Sequence, residues 1–158
     1  MKKLMAADVS VLLPDMKIKE HQTVEAEDGR TVKIRDFCPK DRNAEGKEWI
    51  DGKGKLLMPG LADCHMHTGQ QLLKGRILDE LPMIWTRIML PFESTLTEQK
   101  MELSAKLAAL EMIKSGTTAF IDAGSYYMEA AAEVYVKSGL RGVLSASTMD
   151  GKGLPEST

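Results

Sequence analysis

Between Thr23 and Ile34 polar and apolar residues alternate with a period of two. Val24 and Ala26 fall on one face, Glu25 and Glu27 on the other, and after Asp28-Gly29 the pattern resumes with Val32 and Ile34. Such alternation makes a half-buried strand, and Asp-Gly between two alternating runs is a hairpin signal because both residues tolerate positive φ. A polar stretch over residues 39–47 follows, then a second turn signal, Asp51-Gly52-Lys53-Gly54. Residues 1–57 are therefore expected to form a small β-structure with solvated edges.

From Leu56 the chain runs apolar and turns polar only at its end, Asp63-Cys64-His65-Met66-His67. The pattern then becomes helical over residues 95–114, with Thr95 paired to Glu98, or Thr97 alone, as the N-cap. Met101, Ala105, Ala108 and Met112 make one stripe, with Leu103, Leu107 and Leu110 beside it, and Gly116 supplies the stop. Residues 117–122 (TTAFID) read as a short buried strand, residues 127–138 as a helix stopped by Gly139, and residues 141–147 as another strand. Strand–helix–strand order of this kind predicts parallel strands with right-handed crossovers, an α/β arrangement. The pattern ends in residues 151–158 just after the third strand. Three parallel strands leave faces and an edge uncovered, so the sequence is expected to be a truncated α/β domain.

Composition narrows the function classes. The 158 residues are 43% apolar and 28% charged, with a formal charge of -2 and Lys and Arg spread along the chain. That leaves no basic footprint for nucleic acid or an anionic membrane surface. No apolar run approaches the roughly 18 residues that cross a bilayer. Met1-Lys2-Lys3 opens no signal peptide, because the next apolar stretch is broken by Asp8, Pro14 and Asp15. Cys38 and Cys64 make no disulfide framework, and a reducing cytoplasm is the expected location. The expected partner is a small-molecule substrate, with no nucleic acid and no membrane; composition sets no oligomeric state.

The candidate chemistry lies at the end of the apolar run. Residues two apart on a strand share a face, so His65 and His67 point together with Asp63 one step earlier. Two imidazoles at that spacing can converge on one cation; zinc suits nitrogen and carboxylate donors, with Fe2+ or Mn2+ as alternatives. Taken alone, His-x-His is more often a polar strand end; its place at the end of a buried strand after Pro59-Gly60 raises metal binding. Asp63 has two readings, positioning a ligand or making structural hydrogen bonds. Cys64 falls on the opposite face and is expected to pack in the core. Trp85, in the long connection after this strand, either stacks on a substrate ring or packs the loop down. Gln70, Gln71 and Glu80 are rim polar groups or solvated surface. Asp122 ends the second strand and either orients a ligand or loop or caps the strand; Thr148 and Asp150 end the third with the same ambiguity. Met83, Met89, Met101 and Met112 are expected to fill the core, and Lys17, Lys19, Lys33 and Lys40 to be solvated.

The run MPGLADCHMH, residues 58–67, resembles the first barrel strand of the amidohydrolase superfamily, marked by Pro-Gly followed by Asp-x-His-x-His. Leu72-Leu73-Lys74-Gly75-Arg76, Asp79-Glu80-Leu81-Pro82 with Trp85, Leu90-Pro91-Phe92-Glu93, and Glu111 to Thr118 leading to Asp122 are similar to one branch of it. That branch holds the cytosine/guanine deaminases, chlorohydrolases and methylthioadenosine/S-adenosylhomocysteine deaminases. Glu27-Asp28-Gly29-Arg30 and Ile50-Asp51 match its N-terminal β-sandwich. The resemblance implies an N-terminal β-sandwich portion over residues 1–57 and the first three or so βα units of a (β/α)8 barrel over residues 58–158. It also implies a divalent metal on His65 and His67 and deamination of a purine-type ring by metal-activated water. Family members complete the site from later strands, yet no histidine follows His67. A catalytic zinc takes three protein ligands. The expectation is that the truncated chain holds no catalytic residue of its own and is inactive alone. The alternatives are a chlorohydrolase-type reaction on a similar ring and a non-catalytic binding module.

Overall fold

The computed structural model describes residues 3–43, 48–77 and 83–147. The chain divides into two compact units, residues 1–59 and 60–158.

The first unit is a five-stranded sheet. β1 (Lys3–Leu12) pairs antiparallel with β2 (Ile18–Glu27), which pairs with β3 (Arg30–Asp36); β4 (Glu48–Asp51) and β5 (Leu56–Leu57) add to β1 in parallel. Met5, Ala7, Val9 and Val11 alternate inward along β1, and Val9 and Val11 pack on Val24. The Asp28-Gly29 hairpin forms as expected, with φ of 48° and 78°, the primed turn that matches strand twist. Val32 and Ile34 are nonetheless exposed, so alternation located β3 without locating a buried face for it. Asp41 anchors the 3-10 turn Pro39–Asn43 to the sheet. It accepts both Arg35 Nη1 and Nη2 at 2.7 Å, Thr23 Oγ1 at 2.7 Å and Cys38 N at 2.9 Å. The Arg35 guanidinium holds that carboxyl far below the usual carboxylate range.

A bulge interrupts β1 between Ala6 and Val9. Asp8 sits there at φ 62°, facing His21 at φ 52°. His21 Nδ1 lies 2.8 Å from Asp8 Oδ1, and Arg42 Nη2 donates to Asp8 Oδ2 at 2.7 Å. The bond to Asp8 raises the His21 pKa above its ordinary value, with Glu20 adding to the field, while His21 and Arg42 lower that of Asp8. A raised histidine pKa contributes stability below its unfolded value and loses it as pH rises through the folded one. A lowered carboxylate pKa contributes above its unfolded value and loses it as pH falls through the folded one. The pair therefore acts between the carboxylate and imidazole ranges. In a proton-NMR titration the His21 midpoint is expected above that of an Asp8→Asn variant; equal midpoints would show that the pair does not form in solution.

The second unit is α/β. β6 (Leu61–Met66), β7 (Thr117–Ser125) and β8 (Arg141–Ala146) are parallel in the order β6-β7-β8. A 3-10 turn (Thr68–Leu73), a π-helical turn (Trp85–Met89), the short α1 (Leu90–Glu93) and the long α2 (Glu98–Ser115) link β6 to β7, and α3 (Met128–Ser138) links β7 to β8. Of the two possible caps, Thr97 accepts Lys100 N, while Thr95 Oγ1 donates to Phe92 O. Gly116 and Gly139 end the helices at φ 82° and 79°. No described helix is long and apolar enough to cross a membrane.

The core joins Met66 and Phe120 of the sheet to Met101, Ala105, Ala108 and Met112 of α2 and Met128, Ala131, Val134 and Tyr135 of α3. Leu103 and Leu110 do not join it: they are 56% and 55% exposed, and Ser104 and Ala109 are buried instead. At 3.6 residues per turn, position 103 lies about 160° around the helix from 105, so the leucines form a second stripe facing away. Met83 is a further correction, exposed in the connection at φ 60° rather than filling the core. Phe120 packs on Tyr135 with centroids 4.4 Å apart and the rings tilted at 55°. Gly142 lies opposite Phe120 in β8, where a Cβ would fall 2.4 Å from the ring. Gly142→Ala is expected to destabilise the unit by about 1–3 kcal/mol, the usual cost of overpacking. Denaturant unfolding checks this, and an unchanged midpoint would mean that the ring yields freely.

Candidate metal centre

Alternation does not run evenly to the end of β6. Ala62 lies opposite Ala119, Asp63 opposite Phe120 and Met66 opposite Asp122, so three steps on β6 match two on β7. Phe120 and Met66 both enter the helical core, so this bulge puts Asp63 and Met66, three residues apart, on the helix side. The expectation that Cys64 packs in the core fails for the same reason. It is exposed and lines an apolar groove of about 290 Å³ with Ala62, Ala119, Ile121 and Val143. Asp63 Oδ1 accepts the backbone N–H of His65 at 3.2 Å, fixing the bulge from its own side chain.

The bulge leaves the two imidazoles converging beyond the C-terminal end of β6. Their rings meet edge-on at 83° with centroids 4.9 Å apart, and His65 Nε2 lies 3.2 Å from His67 Nε2. Two nitrogens bound to one tetrahedral zinc at 2.0–2.1 Å stand about 3.3 Å apart, so the pair fits one ion between its Nε2 atoms. Among the described residues no third His, Cys, Asp or Glu joins them. His21 belongs to the first unit and is committed to Asp8.

Asp122, 1% exposed, holds the backbone just after these histidines. It accepts Thr68 N–H at 2.9 Å, the Thr68 hydroxyl, and Gly124 N–H at 2.8 Å. Ser104 Oγ donates to Thr68 O at 2.6 Å, and Tyr135 OH lies 2.6 Å from Thr68 Oγ1. Burial pushes the Tyr135 phenol up to about 12. Gln71 Nε2 donates to His67 O at 3.0 Å.

Trp85, 47% exposed, lines a cavity of about 170 Å³ with His67, Gln70, Leu90, Glu93 and Gly124. Gln70 Nε2 donates to Glu93 Oε1 at 2.7 Å, and Ser125 Oγ to Glu93 Oε2 at 2.5 Å. The structure thus brings His65, His67, Gln70, Gln71 and Trp85 to one end of the sheet, with Asp122 beneath; Glu80, Thr148 and Asp150 lie outside the described residues. Sequence reasoning missed Thr68, Glu93, Ser104 and Tyr135 as parts of this region. Glu93 carried a signal in Leu90-Pro91-Phe92-Glu93; Ser104 and Tyr135 carried none, because each sits inside an apolar helix stripe.

Three comparisons bear on this geometry. The sequence profile described as "Amidohydrolase family" matches residues 56–157. A 5-methylthioadenosine/S-adenosylhomocysteine deaminase of Halalkalibacterium halodurans is 41% identical over 122 residues, covering 76% of this chain and 28% of that protein. Among solved structures, an adenosine deaminase from Xanthomonas campestris with bound zinc superposes with a TM-score of 0.75 at 24% identity, over 90% of this chain and 33% of that one. An atrazine chlorohydrolase from Arthrobacter aurescens complexed with zinc superposes at 0.78 and 18% identity, over 92% and 36%. The chain spans between 28% and 36% of the length of these three proteins.

Proposed function

The chain belongs to the amidohydrolase family, and from that premise we propose that it forms the part of a hydrolase that supplies the first two metal ligands and one wall of the substrate site. The reaction is deamination of an adenosine-type ring, a carbon–nitrogen bond cleavage in a soluble cytoplasmic enzyme. One observation carries the reading: the 3.2 Å convergence of His65 and His67 Nε2 at the C-terminal end of the first parallel strand, the end where barrel enzymes build their sites. In this reading β1–β5 are one sheet of an N-terminal β-sandwich, divided from the barrel at residues 57/58. β6, β7 and β8 are then the first three strands of the eight-stranded barrel.

The donor set suits zinc, with Fe2+ or Mn2+ as alternatives; a metal bound there would lower the pKa of water to about 7 and supply a nucleophile at neutral pH. His65 and His67 would hold it; Asp63 fixes the His65 backbone, and Asp122 holds the turn that follows His67. Trp85 offers an aromatic face for a purine and excludes water from one side of the cavity. Glu93, held by Gln70 and Ser125, offers acceptor oxygens to substrate hydroxyl or amino groups. Residues 1–158 contain no catalytic acid or base in this assignment, and two ligands fall short of the three a catalytic zinc takes. Taken alone they bind no catalytic metal; turnover belongs to the whole protein.

A second reading, hydrolytic loss of chloride from a similar ring, has the likeness to the zinc-complexed chlorohydrolase in its favour. A substrate panel on the whole protein separates the two: ammonia release from methylthioadenosine and S-adenosylhomocysteine is expected, without chloride release from a chlorotriazine. His65→Ala and His67→Ala are each expected to lower zinc content and turnover about 100-fold or more, beyond the loss usual for groups behind a ligand. Ammonia release by residues 1–158 alone that survives His65→Ala would sink the assignment.

A further inference from the structure

Thr68 follows the second histidine directly, and every polar group it owns is engaged. Its N–H and hydroxyl both donate to Asp122 Oδ2, and its carbonyl accepts Ser104 Oγ at 2.6 Å. A threonine hydroxyl has one hydrogen. Because that hydrogen goes to Asp122, the 2.6 Å contact with Tyr135 OH can only be donated by the tyrosine. The result is a directed relay from α3 to the sheet: Tyr135 O–H to Thr68 Oγ1, and Thr68 O–H to the Asp122 carboxylate. The phenol stays protonated throughout the neutral range, since burial has raised it to about 12. Thr68, Ser104 and Asp122 are at most 1% exposed and Tyr135 is 2% exposed, so water does not compete for these bonds.

We propose that Thr68, gripped by Tyr135 and Ser104 from the helix layer and by Asp122 from β7, is a positioning residue that sets the backbone angle at which His67 presents Nε2 to the metal. This rests on the metal reading of His65 and His67. The physical reason is leverage. His67 Nε2 is 3.2 Å from its partner nitrogen, and the residue that follows is held by four buried hydrogen bonds, one on its N–H, one on its carbonyl and two on its hydroxyl. Metal sites tolerate ligand displacements of only a few tenths of an ångström, so a loosened turn costs affinity before it costs the fold. Helices α2 and α3 thereby act on the metal without touching it.

Zinc affinity of the whole protein, measured by competition with a chromophoric chelator, tests the inference, alongside the thermal midpoint of the zinc-free protein. Thr68→Val and Tyr135→Phe are expected to raise the zinc Kd by about 10- to 100-fold, the loss typical for groups supporting a ligand. Thr68→Ser keeps the hydroxyl and is expected to regain most of that loss. In the cobalt-substituted protein, Tyr135→Phe is expected to shift the visible absorption bands. Wild-type zinc Kd in Tyr135→Phe, together with a lowered midpoint of the zinc-free form, would reduce the relay to a structural feature and overturn the proposal. If Thr68→Val fails to fold, Tyr135→Phe still decides, since it preserves the ring packed on Phe120. His67→Ala separates the two layers of argument. Zinc lost in His67→Ala but retained in Tyr135→Phe refutes positioning alone, whereas zinc retained in both refutes the metal assignment beneath it.

Discussion

The second unit is organised around the need to satisfy a carboxylate buried within its central strand, three residues before the strand ends. Asp122 is 1% exposed, and a buried charge is costly unless hydrogen-bonded on its open positions. One donor is local, Gly124 N–H two residues on in β7. The other two come from Thr68, 54 residues earlier, and reaching Asp122 obliges the chain leaving β6 to turn toward β7 immediately after His67. The turn that follows the histidine pair is thus tied directly to β7. The same tie explains why the following residues form a compact 3-10 turn, with Gln70 and Gln71 directed back toward the site.

Long-period features were legible in the sequence. The Asp28-Gly29 hairpin, the parallel order of three strands, the glycine stops at 116 and 139 and the cap at Thr97 each follow from local chemistry that the tertiary structure leaves in force. The shared face of His65 and His67 was also legible, but for an incomplete reason. Strict alternation would have put Asp63 with the histidines and Cys64 in the core. The bulge between Asp63 and Met66 moves Asp63 to the helix side and leaves Cys64 exposed. A bulge depends on register between strands far apart in sequence, so no window of residues around position 64 could announce it.

What the helices contribute was hidden for a different reason. Ser104 and Tyr135 occupy positions that a hydrophobic stripe assigns to packing, and both are indeed buried. Only the partner shows what the polar atom holds, and that partner, Thr68, lies in another element. Glu93 shows the converse. Its motif was visible in the sequence, yet that a carboxylate in a four-residue helix is buried between Gln70 and Ser125 emerges only from the assembled turn. In the first unit Arg35 and Asp41, six residues apart, likewise become partners only when the 3-10 turn folds one over the other.

Tyr135 joins the two tasks of this unit in one side chain. Its ring packs on Phe120, 4.4 Å between centroids, and Phe120 in turn fills space kept open by the missing side chain of Gly142. Its hydroxyl leaves that apolar layer and meets Thr68 at the histidine end of the sheet. A buried phenol needs a partner, and one at the far end of a six-carbon ring can be met only if core packing fixes the ring's depth. The depth of the ring in the apolar core therefore fixes where the hydroxyl meets Thr68. On the proposed positioning role, an error in packing at Phe120 or Gly142 would pass through the ring to the hydroxyl, and from there to the turn after His67.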